Sequence, residues 1–246
     1  MLIKQLSLKN VFYKINNRNI LSKINLSIKN DEKIAIIGPS GSGKTTLLKI
    51  IAHAKFPSRG EIKINELNLL HLKKKDIFKL RKSFFMIPQQ FSIPSRLRVY
   101  RAIQTGYLAE WSTIKSVLSV FYPFNLKKIH EILKRFSLET KIDEKVESLS
   151  GGEKQCINIA RLLVTKAKML LLDEPMAGID IKKIDLVMKN LLEFQSEHKS
   201  LLIISLHQLE IVQKYFTRVI CMKHGKIKFD LPINKVTKKI IKDLYE

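Results

Sequence analysis

Acidic residues are scarce in this chain. Its 246 residues include 22 Asp and Glu against 45 Lys and Arg, a formal net charge of +23. Such an excess suggests a polyanionic partner (nucleic acid, anionic lipid or a phosphate-bearing ligand) without choosing among them, and, because the lysines are spread along the whole chain, it also reads as a solvated basic surface. Lys outnumbers Arg about four to one. Base-reading surfaces favour the bidentate Arg fork, so sequence-specific nucleic acid is not expected as a partner. Cysteine is nearly absent: Cys156 and Cys221 stand far apart in apolar surroundings, without CxxC or metal-ligand spacing. That excludes a disulfide framework and reads as two reduced core thiols of a cytosolic protein. Long hydrophobic runs are also missing. The nearest, "GYLAEWSTIKSVLSVFYPF" at 106–124, is interrupted by Glu110 and Lys115 and ended by Pro123, so the protein is not expected to span a membrane unaided. The start, "MLIKQLSLKN", is charged too early for a secretory signal. With no internal repeat and no low-complexity linker, one domain, or one domain with a subdomain, is expected.

What is present is an alternation of strands and helices. "IKQLSLKNV" and "INLSI" alternate like strands, and "KIAIIG" is a continuous apolar run of the kind found in buried parallel strands. "KTTLLKIIAHA" reads as a helix, "GEIKINE" as a hairpin-like piece, and "FFMIPQQF" as a strand running into a loop enforced by Pro88 and Pro94. The texture from about 95 to 148 is helical; in "LKKIHEILKRFSL" Ile129, Ile132, Leu133 and Phe136 share one face. Strands and helices then alternate again, and "RVICMKHGKIKFD" closes as a hairpin around His224-Gly225. This is an α/β core with a mainly parallel sheet and a helical insertion, whose ligand belongs at the carboxyl ends of the strands.

Three stretches carry chemistry. "GPSGSGKTT" comprises Gly38, Pro39, Ser40, Gly41, Ser42, Gly43, Lys44, Thr45 and Thr46, fits G-x-x-x-x-G-K-[ST], and lies between an apolar strand and a helix. The glycines let successive N–H groups curl toward phosphate, Lys44 supplies charge to the β- and γ-phosphates, and the Thr45 hydroxyl reaches Mg²⁺. "KMLLLDEP" brings Asp173 to a strand's carboxyl end, suited to holding Mg²⁺ through water, with Glu174 placed to orient or deprotonate an attacking water. "LSGGEKQ" is a helix start, with Ser150 as N-cap and Glu153 as its capping-box partner. A fourth feature, His207 at the exit of the apolar run "LLIIS", reads on its own as a core or capping histidine.

Phosphate loop, Gln89 in "IPQQF", "LSGGE", "LLLDEP" and His207 follow in an order that resembles the ATP-binding subunit of ABC transporters across nearly the whole chain. The resemblance implies a P-loop NTPase core over 1–88 and 151–246, an N-terminal antiparallel β part, and a helical subdomain at about 89–150. It implies that Tyr13, with Phe12 as a substitute, stacks on adenine. Gln89 contacts Mg²⁺ and the attacking water. Ser150, Gly151 and Gly152 touch the γ-phosphate held by a second copy. Asp180 crosses that dimer interface, and His207 senses the γ-phosphate. ATP and Mg²⁺ are the implied cofactors. The implied partners are integral membrane permease subunits, a second copy of the chain and an extracytoplasmic solute-binding protein, with the protein peripheral on the cytoplasmic face of the inner membrane.

Departures from the family pattern are Asp31 where a turn glycine is usual, Met176 and Ala177 after "DEP", and Cys156 in place of Arg; none removes a catalytic group. Gln208 after the histidine, the doubled "QQF" and the aromatic segment "IQTGYLAEWSTIKSVLSVFYP" at 103–123 together resemble the ATPase subunit of phosphonate importers. The aromatic segment is either subdomain packing or a groove for a permease helix. A soluble nucleic-acid-associated ABC ATPase is the alternative from another class, invited by the charge.

Overall fold

A computed structural model of the protein describes residues 3–30, 32–237 and 240. Asp31, which stands where a turn glycine is usual, lies outside them, as does most of the C-terminal stretch "INKVTKKIIKDLY". The chain runs β1 (Gln5–Ile15), β2 (Arg18–Lys29), β3 (Lys33–Ile37), α1 (Lys44–Ile51), β4 (Arg59–Ile64), β5 (Leu67–Asn68), α2 (Lys74–Arg81) and β6 (Phe84–Ile87). There follow α3 (Val99–Gln104), α4 (Thr113–Phe121), α5 (Leu126–Lys134), α6 (Gly151–Leu163), β7 (Met169–Asp173) and α7 (Ile181–His198). Last come β8 (Leu201–Ser205), α8 (Leu209–Tyr215), β9 (Arg218–Lys223) and β10 (Lys226–Pro232). The chain divides into two compact units, residues 1–86, 168–175 and 199–246 in the first and 87–167 and 176–198 in the second.

The first unit holds both sheets. One is antiparallel, in the order β2-β1-β4-β5; the other runs β10-β9-β3-β8-β7-β6. β3 is paired in parallel with β8 on one side and β9 on the other, and β8 with β7. β7 and β8 are buried at every residue, which is why they read as apolar runs without alternation. β2 begins six residues before the "INLSI" pattern. Asn16 and Asn17, at φ 44° and 62°, form a two-residue turn, and Arg18 pairs with Ile15. Positive φ at both positions is the turn that matches the twist of paired strands, so β1 and β2 form one long hairpin. Arg218 fastens the start of β9: its guanidinium donates to both Asp230 oxygens (2.7 and 2.6 Å) and both Glu32 oxygens (3.0 and 2.9 Å).

α1 is shorter than its pattern, which runs on to Ala54. His53 has φ 55° and closes the helix. Its ring is 1% exposed, lies edge-on to Phe56 with centroids 4.7 Å apart, and neither ring nitrogen has a partner. Burial, with a smaller contribution from Arg81, holds its pKa below the ordinary 6.5. The unfolded chain therefore takes up this proton first, so the stability that neutral His53 contributes is present above that value and is lost as the pH falls toward the lower folded-state pKa. His53→Leu is expected to lose less stability than the unmodified chain as the pH falls below the ordinary histidine value, read from urea midpoints at neutral and mildly acidic pH. An equal acid loss in both proteins would mean that His53 is not a source of the sensitivity.

The second unit is helical. α6 opens on the expected capping box: the Glu153 N–H donates to Ser150 Oγ (3.3 Å) and the Ser150 N–H to Glu153 Oε2 (2.9 Å). In α5 the side chains of Ile129, Ile132 and Leu133 are buried; Phe136 is buried too, but in the turn beyond the helix. The aromatic segment divides between its two readings. Tyr107 stacks on Trp111 at 5.3 Å and Trp111 meets Phe124 edge-on at 5.6 Å, which is internal packing, whereas Phe121 and Tyr122 are 70% and 64% exposed. Both cysteines are buried free thiols, pushed up to about 11 by burial. Among the described residues no helix is long and apolar enough to cross a membrane.

Candidate active site

In the first unit the glycine-rich stretch turns from β3 into α1. Gly38 has φ 146°, and a Cβ there would lie 2.1 Å from the Met222 carbonyl oxygen, so no other residue fits. The β9–β10 hairpin braces this loop: the Gly225 N–H donates to the Ser42 carbonyl (3.1 Å), and the Gly225 carbonyl accepts from the Ser22 N–H (2.8 Å). Lys44 is buried and folded back on the loop, Nζ donating to the carbonyls of Gly38 (2.8 Å) and Pro39 (3.2 Å). Desolvation lowers its pKa, while the nearby carboxylates of Glu174 and Asp173 pull in the other direction. Pro39, Thr45 and Thr46 are half-buried, Ser42 is buried, and Ser40 and Gly41 are exposed.

The carboxyl edge of β7 and β8 supplies the opposing charge. Asp173 is wholly buried beside Ser205, its partner in the parallel register. The Ser205 hydroxyl donates to Asp173 Oδ1 (2.6 Å) and accepts the Glu174 N–H (2.9 Å). Asp173 Oδ2 is buried with no partner. Glu174 has φ 49°, a left-handed conformation that costs a non-glycine residue about 1–3 kcal/mol and that recurs at functional sites. Its Oε1 lies 2.6 Å from His207 Nε2. The His207 side chain is 44% exposed, so the core-histidine reading of "LLIISLH" does not hold.

These contacts bring Lys44, Asp173, Glu174 and His207 into one site. The sequence reading missed Ser205, which it took only as the end of an apolar run. The signal was there in outline: a lone hydroxyl closing the strand that runs parallel to the one ending in Asp173. Tyr13 is half-buried against the core of the same unit, with Lys55 Nζ donating to its hydroxyl (3.1 Å) and lying 5.0 Å from its ring centroid; Phe12 is also half-buried.

Gln89, Ser150, Gly151, Gly152 and Asp180 belong to the second unit. Gln89 is exposed just beyond β6. The rest gather around a 270 Å³ cavity lined by Ser150, Gly151, Gly152, Cys156, Asp180 and Lys183, among others. Gly152 is required by close approach, since a Cβ would meet the Gly178 carbonyl oxygen at 2.6 Å; a Cβ on Gly151 would point into open space. The Lys141 ammonium, 2.8 Å from Glu153, together with the Ser150 N–H brings the Glu153 carboxyl down to about 2, so this helix start keeps its anion at any physiological pH.

The ABC transporter family model matches residues 21–177. Phosphonates import ATP-binding protein PhnC 1 of Pseudomonas syringae pv. tomato is 36% identical over 225 residues, covering 92% of this chain and 85% of the relative. Among solved structures, a dimeric ATP-binding cassette in a post-hydrolysis state bound to ADP and Pi has a TM-score of 0.78 at 28% identity, over 93% of this chain and 98% of that one. The cassette cbiO1 from Clostridium perfringens, part of the transporter complex cbiONQ, has a TM-score of 0.77 at 30% identity, over 96% and 92%. With a family model matched over most of its length and relatives alike along nearly all of it, the chain belongs to the ABC transporter family, in the phosphonate-import ATP-binding subfamily.

Proposed function

We infer that this chain is the ATP-hydrolysing subunit of a membrane importer for phosphonates or a related phosphorus oxyanion, and that it works as a head-to-tail pair of copies. One observation carries the catalytic part: the hydrogen-bonded run His207–Glu174–Ser205–Asp173, with Lys44 in electrostatic reach. The terminal phosphates of ATP take the loop N–H groups and the Lys44 ammonium, which exchanges the Gly38 and Pro39 carbonyls for phosphate oxygens. Glu174 receives a proton from water as the water oxygen bonds to the γ-phosphorus; the bond to the β–γ bridging oxygen breaks and its electron pair leaves with ADP. His207 holds the Glu174 carboxylate until the γ-phosphate competes for its imidazole. The buried, unpartnered Asp173 Oδ2 fits a hydrated cation, and with the Thr45 hydroxyl it would supply the hard oxygen ligands that Mg²⁺ prefers; Gln89, of the second unit, is the residue the family resemblance assigns to Mg²⁺ and the attacking water. Bound there, Mg²⁺ would neutralise charge developing on the β- and γ-phosphates. Tyr13 or Phe12 stacks on adenine. Ser150, Gly151, Gly152 and Asp180 serve the nucleotide of the second copy.

The permease subunits dock on the helical unit. A 580 Å³ apolar groove there is lined by Leu97, Arg101, Leu108, Val117 and Val120 among others, and by Gln104, which is 3% exposed with neither side-chain oxygen nor nitrogen partnered. A buried amide lacking both a donor and an acceptor matches a polypeptide segment that offers both. In this reading a solute-binding protein works outside and the subunit is peripheral on the cytoplasmic face of the inner membrane. Proteoliposomes holding this chain, its permease subunits and the solute-binding protein test the reading. Methylphosphonate should stimulate ATP hydrolysis and be taken up. Stimulation only by a solute without phosphorus would overturn the substrate and leave the importer standing.

A further inference from the structure

The basic helix α2 takes no part in the site above. Leu80 is buried and Ile77 half-buried on one side of it, whereas Lys75, Phe78, Lys79 and Lys82 are exposed at i, i+3, i+4, i+7 spacing, which is one face. The only acidic residue in the helix is Asp76. Phe78 is 65% exposed in the middle of this face, with Lys82 Nζ 5.0 Å from its ring centroid. The Arg81 guanidinium donates to the His53 carbonyl (3.2 Å), which ties α2 to the segment carrying Phe56, 57% exposed and packed against the His53 ring.

A solvated helix face needs only the lysines. A large aromatic ring held out in water among ammonium groups is the chemistry of a membrane surface, where the ring enters the headgroup–acyl boundary and the ammoniums stay level with the lipid phosphates. Single-stranded nucleic acid also takes basic and aromatic groups, but it uses free ring faces and Arg forks. Here Lys82 lies over the Phe78 ring, and Arg81 is engaged by the His53 carbonyl.

We propose that the exposed face of α2, together with Phe56, docks on anionic phospholipid headgroups. The proposal rests on the reading of the chain as a peripheral subunit of a membrane transporter. Each lysine near an anionic surface multiplies membrane partition about fivefold, so reversing the charge of three should lower it about 100-fold or more. Phe78→Ser should lower it about fivefold.

The test is co-sedimentation of the full chain with vesicles of phosphatidylcholine alone or with a quarter phosphatidylglycerol. Binding is expected only to the anionic vesicles and should weaken with salt. Lys75→Glu/Lys79→Glu/Lys82→Glu should abolish it and Phe78→Ser weaken it, both with basal ATP hydrolysis and melting temperature unchanged. Equal binding to both vesicles, no binding to either, or wild-type binding by both variants would overturn the proposal. So would a single-stranded oligonucleotide bound through α2 in preference to the vesicles. Uptake in proteoliposomes, measured on the same variants, is a separate readout: loss of lipid binding with uptake retained keeps the importer reading, and absent uptake with lipid binding retained keeps this one.

Discussion

Glu174→Gln is expected to cut steady-state ATP hydrolysis by about 10²–10⁴-fold, the span of a general-base contribution, while Mg-ATP affinity stays within about threefold. The substitution is nearly isosteric. Its amide oxygen can still accept from His207 Nε2, and the backbone N–H keeps Ser205, so the left-handed backbone of this residue stays braced. Only the proton acceptor is lost. With hydrolysis blocked and binding intact, the ATP-bound pair of copies should accumulate and appear as a dimer in analytical ultracentrifugation with Mg-ATP. A variant that turns over within about threefold of wild type would remove Glu174 from the role of base.

His207→Ala should slow hydrolysis about 100-fold and weaken ATP-driven dimerisation, with ADP affinity nearly unchanged. The histidine touches Glu174, and its side chain is 44% exposed. Its loss should therefore change stability by no more than about 0.5 kcal/mol, as for other surface positions. A histidine packed in the core would behave otherwise, losing about 1–3 kcal/mol through an unpaired partner or a cavity. Thermal melts without nucleotide, with Mg-ADP and with Mg-ATP distinguish the two: only the Mg-ATP stabilisation should shrink. An equal drop in all three, with a normal rate per folded molecule, would show that the ring does not report on the γ-phosphate.

Much of this was legible because its causes are local. The phosphate loop needs left-handed backbone at Gly38 with no room for a Cβ. The capping box of Ser150 and Glu153 spans three residues. β7 and β8, buried on both faces, had to be continuous apolar runs. The Asn16–Asn17 turn was equally local and was passed over, because the alternation that marks β2 becomes clear only beyond it.

The sequence by itself thus determined the family, the α/β alternation and which residues carry charge to the site: Lys44, Asp173, Glu174 and His207. Only the tertiary structure decided how they meet. Ser205 bonds Asp173 because β7 and β8 run parallel in one particular register, and no spacing along the chain encodes that pairing. The strained backbone of Glu174 persists because Ser205 holds its N–H. Likewise, the aromatic segment divides into a packed trio and two exposed rings according to which neighbours each face finds. The physical reason is common to all three: a motif is a property of adjacent backbone, whereas partnership and exposure belong to residues that folding brings together from far apart in the chain.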